Sequence, residues 1–158
     1  MIRTSRRLLV VLVAVAAIAA SGCGGGGSST QSLNDYTQSV VTARDRADFA
    51  LGRITKAKSK EEFINRMDEA SAAIDDAASD LDDAGSAEGF EDETAKLVAA
   101  LHQLSVDLDA TAHDLGQPEG EGLLTGARGL NFESWDEANL VLASLIGQGI
   151  KVELIGRH

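Results

Sequence analysis

The chain has 158 residues and carries 14 Lys and Arg against 25 Asp and Glu, a formal charge of −11, so there is room for one ordinary domain once any targeting segment is set aside. An acidic balance of this size excludes the usual basis of nucleic-acid binding, a cluster of Lys and Arg on the phosphates. Hydrophobic residues make up 44% but aromatic residues only 4%, so the core is built from small side chains, which points to close-packed helices and away from a deep pocket.

The first residues differ from all that follow. Arg3, Arg6 and Arg7 form a cationic head, and Leu8 to Ala20, thirteen residues, contain nothing charged or polar. As a helix this run covers ~20 Å against a hydrocarbon core of ~30 Å, so it suits the apolar region of a signal peptide better than a membrane span. The small residues Ala20, Ser21 and Gly22 offer a cleavage site, which assigns residues 1–22 to the signal peptide.

Ala20-Ser21-Gly22-Cys23 resembles the lipobox of bacterial lipoproteins. The resemblance covers residues 1 to 23 and departs from the common pattern at Ala20, where Leu is more usual. It implies a diacylglyceryl group on the sulfur of Cys23, cleavage that makes Cys23 the new N-terminus, and often acylation of its amine with a fatty acid such as palmitate. The protein is then expected outside the cytoplasm, lipid-anchored to the bacterial cell membrane. More than one acyl chain is needed, because a single one partitions with only ~10⁴ M⁻¹. Cys23 is the sole cysteine, so no internal disulfide can form. Arg6-Arg7 also fits a twin-arginine export signal, but the strongly apolar run favours the general secretory route.

Residues 23–31 are read as the lipidated N-terminus and a flexible linker: Gly24 to Gly27, Ser28, Ser29 and Thr30 form a Gly/Ser-rich coil whose root-mean-square span is ~15 Å. Removal of residues 1–22 takes three Arg away and leaves 11 Lys and Arg against 25 acids, a formal charge of −14.

Residues 32–158 are expected to form an all-α domain, an antiparallel helical bundle of three long helices and one shorter helix. Apolar residues recur at steps of three and four, the spacing that puts them on one face of a helix. The first stripe is Leu33, Tyr36, Val40, Ala43, Ala47, Ala50 and Ile54. The second is Phe63, Met67, Ala70, Ile74, Ala77, Leu81 and Ala84, started by the Ser59/Glu62 capping box and stopped at Gly85. The third, Leu97, Leu101, Leu104, Leu108, Ala112 and Leu115, is the most apolar, belongs at the centre, and ends at Gly116 before Pro118. Residues 119–131 read as a Gly-rich loop pinned by Leu123, Leu124 and Leu130. A second capping box, Ser134/Glu137, opens the fourth helix, whose buried side is Trp135, Ala138, Leu142, Leu145 and Ile146. Ile150, Val152 and Leu154 alternate with charged residues, as in an extended tail or an edge strand. Short links make an intramolecular bundle simpler than a self-associating coiled coil, so a monomer is expected.

Asp80 to Glu91 resembles an EF-hand calcium loop at four places, Asp80, Asp82, Gly85 and Glu91, which match its first, third, sixth and twelfth positions. It departs at Ala84, where an oxygen ligand belongs, and at Ala87, where a larger apolar residue belongs. The helical stripe also runs through Leu81 and Ala84. The expected state is a helix end with solvated acids, and Asp80, Asp82 and Glu91 are the metal candidates if a metal binds at all. His102 and His113 are eleven residues apart and lack an i, i+4 partner, so no metal or other cofactor is expected. Arg53, Lys56, Lys58 and Lys60 form the one cationic cluster of the mature chain and read as a solvated helix end. No nucleophile elbow or phosphate loop is present in the sequence, and no enzymatic activity is expected.

Two classes of function fit. One is an interaction module that presents a face to another envelope protein or to a cell-wall polymer; the other is a lipoprotein that binds a small ligand or a divalent cation. An exposed apolar patch favours the first, and a closed cavity or converging carboxylates the second. The loop at 119–131 is the expected place for a partner.

Overall fold

Helix starts and stops follow local chemistry. In the computed structural model, which describes residues 31–118, 120 and 124–157, helix α1 (Leu33–Ile54) opens at Ser32, whose side chain accepts the Asp35 N–H at 3.2 Å. Helix α2 (Lys60–Ala84) opens at Ser59, whose hydroxyl accepts the Glu62 N–H at 3.1 Å, while the Glu62 carboxylate accepts the Lys58 N–H at 2.7 Å. The expected capping box is therefore in place, with its return bond made one residue earlier than usual. Gly85 ends α2 at φ 80, where a side chain would be strained, and its N–H reaches Asp82 O and Leu81 O. Helix α3 (Glu91–Gly116) has no side-chain cap, but Glu91, Asp92 and Glu93 in its first turn complement the helix dipole. A single turn, α4 (Leu124–Ala127), and a shorter helix, α5 (Glu133–Gly147), complete the set.

The described residues are thus all-α, with five helices and no strand beyond the single bridge between Gln31 and Ala87. Helix α1 packs on α2, α2 on α3, and α3 on α5. Ala43, Ala47, Ala70 and Ala77 are buried, and such small side chains let helix backbones approach. The Ser71 hydroxyl donates to Ser105 O of α3 at 2.9 Å, and Arg46 pairs with Asp80 across α1 and α2. Leu97, Leu101, Leu104, Leu108 and Leu115 of α3 are at most 1% exposed. At ~1.5–3 kcal/mol for each buried Leu, this helix supplies much of the apolar stabilisation, as its stripe predicts.

Several sequence expectations need correction. Leu33 is 56% exposed, so the buried stripe of α1 starts at Tyr36. The segment at 119–131 is not wholly loop: α4 forms within it, Leu130 is buried with φ 44, and residues 119 and 121–123 lie outside the described residues. The Ser134/Glu137 box does not form, because α5 already begins at Glu133. Ser134 sits inside the first turn, 2% exposed, and its hydroxyl donates to the Asp107 carboxylate of α3 at 2.5 Å. Ile146 is 41% exposed, since the buried side of α5 ends at Leu145.

The C-terminal residues 150–157 take neither helix nor strand. They are held by side chains from two helices. Asn139 of α5 donates to Ile155 O at 3.0 Å and accepts the Ile155 N–H at 2.8 Å. On α1, Arg44 donates to Leu154 O and Asp48 accepts the Gly156 N–H at 2.7 Å. Ile150 and Ile155 are buried while Leu154 is 45% exposed, so the expected alternation fails at its last member. Arg157 lies over the Trp135 ring at 5.4 Å and pairs with Asp136.

Candidate functional site

The lipid-attachment candidate Cys23 lies outside the described residues, as do the other residues from 1 to 30 that the sequence reads as signal peptide and linker. The described residues begin at Gln31, which is bound to the domain. Gln31 donates its backbone N–H to Ser86 O at 2.9 Å, and its side-chain amide donates to Ala84 O at 2.7 Å and Gly85 O at 2.8 Å. The Ser39 hydroxyl donates to its amide oxygen at 3.3 Å. Carbonyls at a helix C-terminus have no partner within the helix, and Gln31 supplies one to the end of α2. The chain is therefore fixed to the domain eight residues after Cys23.

The same end carries the acidic candidates. Asp80 and Asp82 belong to the last turns of α2, so the first half of the calcium-like segment is helical, as its stripe implies. Asp80 is paired with Arg46, Asp82 is exposed, and Glu91 opens α3 with its carboxylate on the Gly89 N–H at 2.9 Å. Among the described residues no group of three or more His, Cys, Asp or Glu is placed to hold a metal ion.

Beneath this end, Tyr36 packs on Phe90 with ring centroids 5.3 Å apart and bonds Thr94 at 2.9 Å. The Thr94 hydroxyl also meets Phe90 O at 2.7 Å. A carbonyl only accepts, so the single Thr94 proton goes there, and the Tyr36 hydroxyl donates to Thr94. Burial raises the Tyr36 pKa above the ordinary 10.0; the Thr94 hydroxyl lowers it by a smaller effect, because it can turn its proton to the tyrosinate, and Glu93 and Glu91 raise it further.

At the other end, the cationic cluster is partly neutralised: Arg53 pairs with Glu69 at 2.7 Å, and the neighbouring Arg66 pairs with Glu62 and donates to Arg53 O. His102 bonds Asp75 at 2.8 Å and His113 bonds Gln117 at 3.3 Å, so the two histidines serve separate partners. A cleft of ≈290 Å³ lined by Asp114, Leu115, Ala127 and Phe132 lies beside α4.

One surface escaped the sequence reading. Between α3 and α5 runs an open groove of ≈510 Å³ lined by Lys96, Ala99, Ala100, Gln103, Glu137, Leu140 and Val141. Leu140 is 71% exposed, and Val106, farther along α3, is 56% exposed. The signal was available: Leu140 falls off the buried stripe of Trp135, Ala138, Leu142 and Leu145, so an apolar residue there faces solvent. Phe49 of α1 is exposed in the same way, at 70%. No helix of the described residues is long and apolar enough to cross a membrane. Compared with known proteins, the chain matches no family model, no curated protein and no solved structure.

Proposed function

We propose that this protein is an extracytoplasmic lipoprotein, cut before Cys23 and anchored to the cell membrane by lipid on that residue, whose antiparallel helical bundle is a non-catalytic interaction module of the cell envelope. The observation that carries the anchoring is the position of the only cysteine, directly after Ala20-Ser21-Gly22 at the end of an apolar run too short to span. The fixed Gln31 supports it, since a rigid domain begins just past a Gly/Ser-rich linker.

The antiparallel arrangement is supported by which ends meet. Arg66 near the start of α2 bonds Arg53 O at the end of α1, Arg46 farther back pairs with Asp80 farther on, and the bonds Ser134–Asp107 and Gln148–Glu93 relate α5 to α3 in the same reversed sense. For the interaction role, the support is an open groove with exposed Leu140 at its edge. The alternative of a small-ligand or divalent-cation-binding lipoprotein would be served by a closed cavity or converging carboxylates.

The test is fractionation of bacteria that express the wild type or Cys23→Ala. The wild type is expected in the membrane and the detergent phase, and the variant in the soluble fraction; equal partitioning of both contradicts the anchor.

A further inference from the structure

Leu154 to Arg157, four successive residues, lie in a slot between α1 and α5 whose walls hold them by side chains. Arg44 of α1 donates to Leu154 O at 2.9 Å, and Asp48, one turn on, accepts the Gly156 N–H at 2.7 Å. Between them, Asn139 of α5 takes both backbone groups of Ile155, and the Trp135 indole donates to the same carbonyl at 3.4 Å. Arg157 covers the Trp135 ring, pairs with Asp136 and donates to the Asn131 amide oxygen at 3.0 Å. An amide that bonds the N–H and the C=O of one residue fits an extended backbone of any sequence, because it touches no side chain. Sequence is read at two places. Ile155 is 2% exposed and fills the apolar part of the slot, and two residues on Arg157 meets the ring and the carboxylate.

The segment in the slot is joined to the bundle without belonging to a helix or a strand. Helix α5 ends at Gly147, Gly149 turns the chain at φ 96, and the buried Ile150 still bonds Leu145 O of α5 at 3.0 Å. Beyond Ile150, Ile155 is the only buried side chain of residues 151–157, while Lys151, Glu153 and Leu154 are exposed. Leaving the slot therefore uncovers one buried side chain of the tail. It frees bonds that an incoming segment of the same kind makes again. Such an exchange needs local opening beyond Ile150 and no unfolding of the helices.

We propose that the slot between α1 and α5 is a binding site for an extended segment of another protein, one with an aliphatic residue and an Arg two places after it, and that the chain's own tail occupies the site as an inhibitor in cis. The tail states the partner's chemistry, since it is the segment that the slot holds. Asp136 and the Trp135 ring select the cation, and the enclosed position of Ile155 selects the aliphatic residue. The site is separate from the groove beside Leu140 and independent of the lipid on Cys23, so its failure leaves both of those readings standing.

The test uses the full chain and a fluorescein-labelled synthetic peptide with the sequence of residues 151–158. Gly156→Pro removes the N–H that Asp48 accepts and leaves the walls of the slot unchanged, so it loosens the tail alone. Fluorescence anisotropy should show the peptide bound to this variant about tenfold more tightly than to the wild type. Adding Asn139→Ala to the variant should lose about tenfold again, and a peptide carrying Ile155→Asp should not bind. Circular dichroism on the same material checks that the variants are folded. No gain over the wild type in a folded variant, or binding that survives Asn139→Ala, overturns the proposal. The wild type gives a second reading that needs no substitution. Its Ile155 and Gly156 amides should exchange hydrogen about a hundredfold faster than the Leu104 amide of α3, because the slot opens while the bundle stays folded. Equal rates overturn the proposal. A wild-type mass of two chains by light scattering, reduced to one by Gly156→Pro, assigns the slot to the tail of a second copy and overturns it too.

Discussion

Asn139 on α5 bonds both the N–H and the carbonyl of Ile155 with one side chain, at 2.8 and 3.0 Å. This gives the C-terminal segment a partner for its backbone without any strand beside it. Asn139→Ala leaves the Ile155 N–H unpaired and its carbonyl with the longer Trp135 indole bond at 3.4 Å, and should cost about 1–3 kcal/mol. Urea denaturation followed by circular dichroism measures it, and an unchanged midpoint contradicts the role given to Asn139.

The buried Tyr36 hydroxyl gives a prediction in alkali. Its pKa is raised in the folded protein, so the folded state holds this proton when the unfolded state has begun to lose it. The stability linked to Tyr36 is complete below the unfolded value near 10.0 and declines as pH rises from there through the folded value. Tyr36→Phe should cost about 1 kcal/mol at neutral pH. The difference in melting temperature between wild type and variant should then shrink above pH 10.0; a constant difference from neutral pH upward contradicts the account.

Glu62 gives the opposite sign. The Lys58 N–H on its carboxylate holds its pKa below 4.5; desolvation opposes this, and Arg66 adds to it. The contribution is present above 4.5 and fades as pH falls through the folded value. Ser59→Ala, at the other half of the box, should cost about 1 kcal/mol at neutral pH. Glu62→Gln should be measurably less stable than wild type at neutral pH and no less stable well below the folded value, as read by thermal melts across acid pH.

Long periodic segments were legible in the sequence, because seven or so apolar residues at helical spacing leave one solution. The stripes containing Val40, Ile74 and Leu104 lie in α1, α2 and α3, and Ser59 and Gly85 mark the ends of α2. Where tertiary partners decide, local pattern misleads. Ser134 looks like a cap but bonds Asp107, 27 residues away in sequence. The alternation of Ile150, Val152 and Leu154 fits an extended tail or an edge strand, and no strand forms: Leu154, Ile155 and Gly156 bond side chains of Arg44, Asn139 and Asp48 in place of a neighbouring strand. The single turn α4 has too few residues to carry a period. Gln31 ends the linker by composition, yet its amide is held by the carbonyls at the end of α2, which no local pattern records. The groove beside Leu140 needed the register of α5 on α3.

Core and surface leucines should separate cleanly. Leu101 is fully buried and Leu140 largely exposed, so Leu101→Ala should cost about 2–5 kcal/mol while Leu140→Ser changes the stability of the fold by less than about 0.5 kcal/mol. Chemical denaturation followed by circular dichroism measures both, and comparable losses would contradict the placement of Leu140 outside the core.

The central claim is the lipid on Cys23, and the most direct measurement is the mass of the N-terminal peptide of the protein recovered from bacterial membranes. The account predicts a peptide that begins at Cys23 and carries a diacylglyceryl group on its sulfur. A peptide that retains residues 1–22, or one that begins at or after residue 23 without lipid, contradicts it.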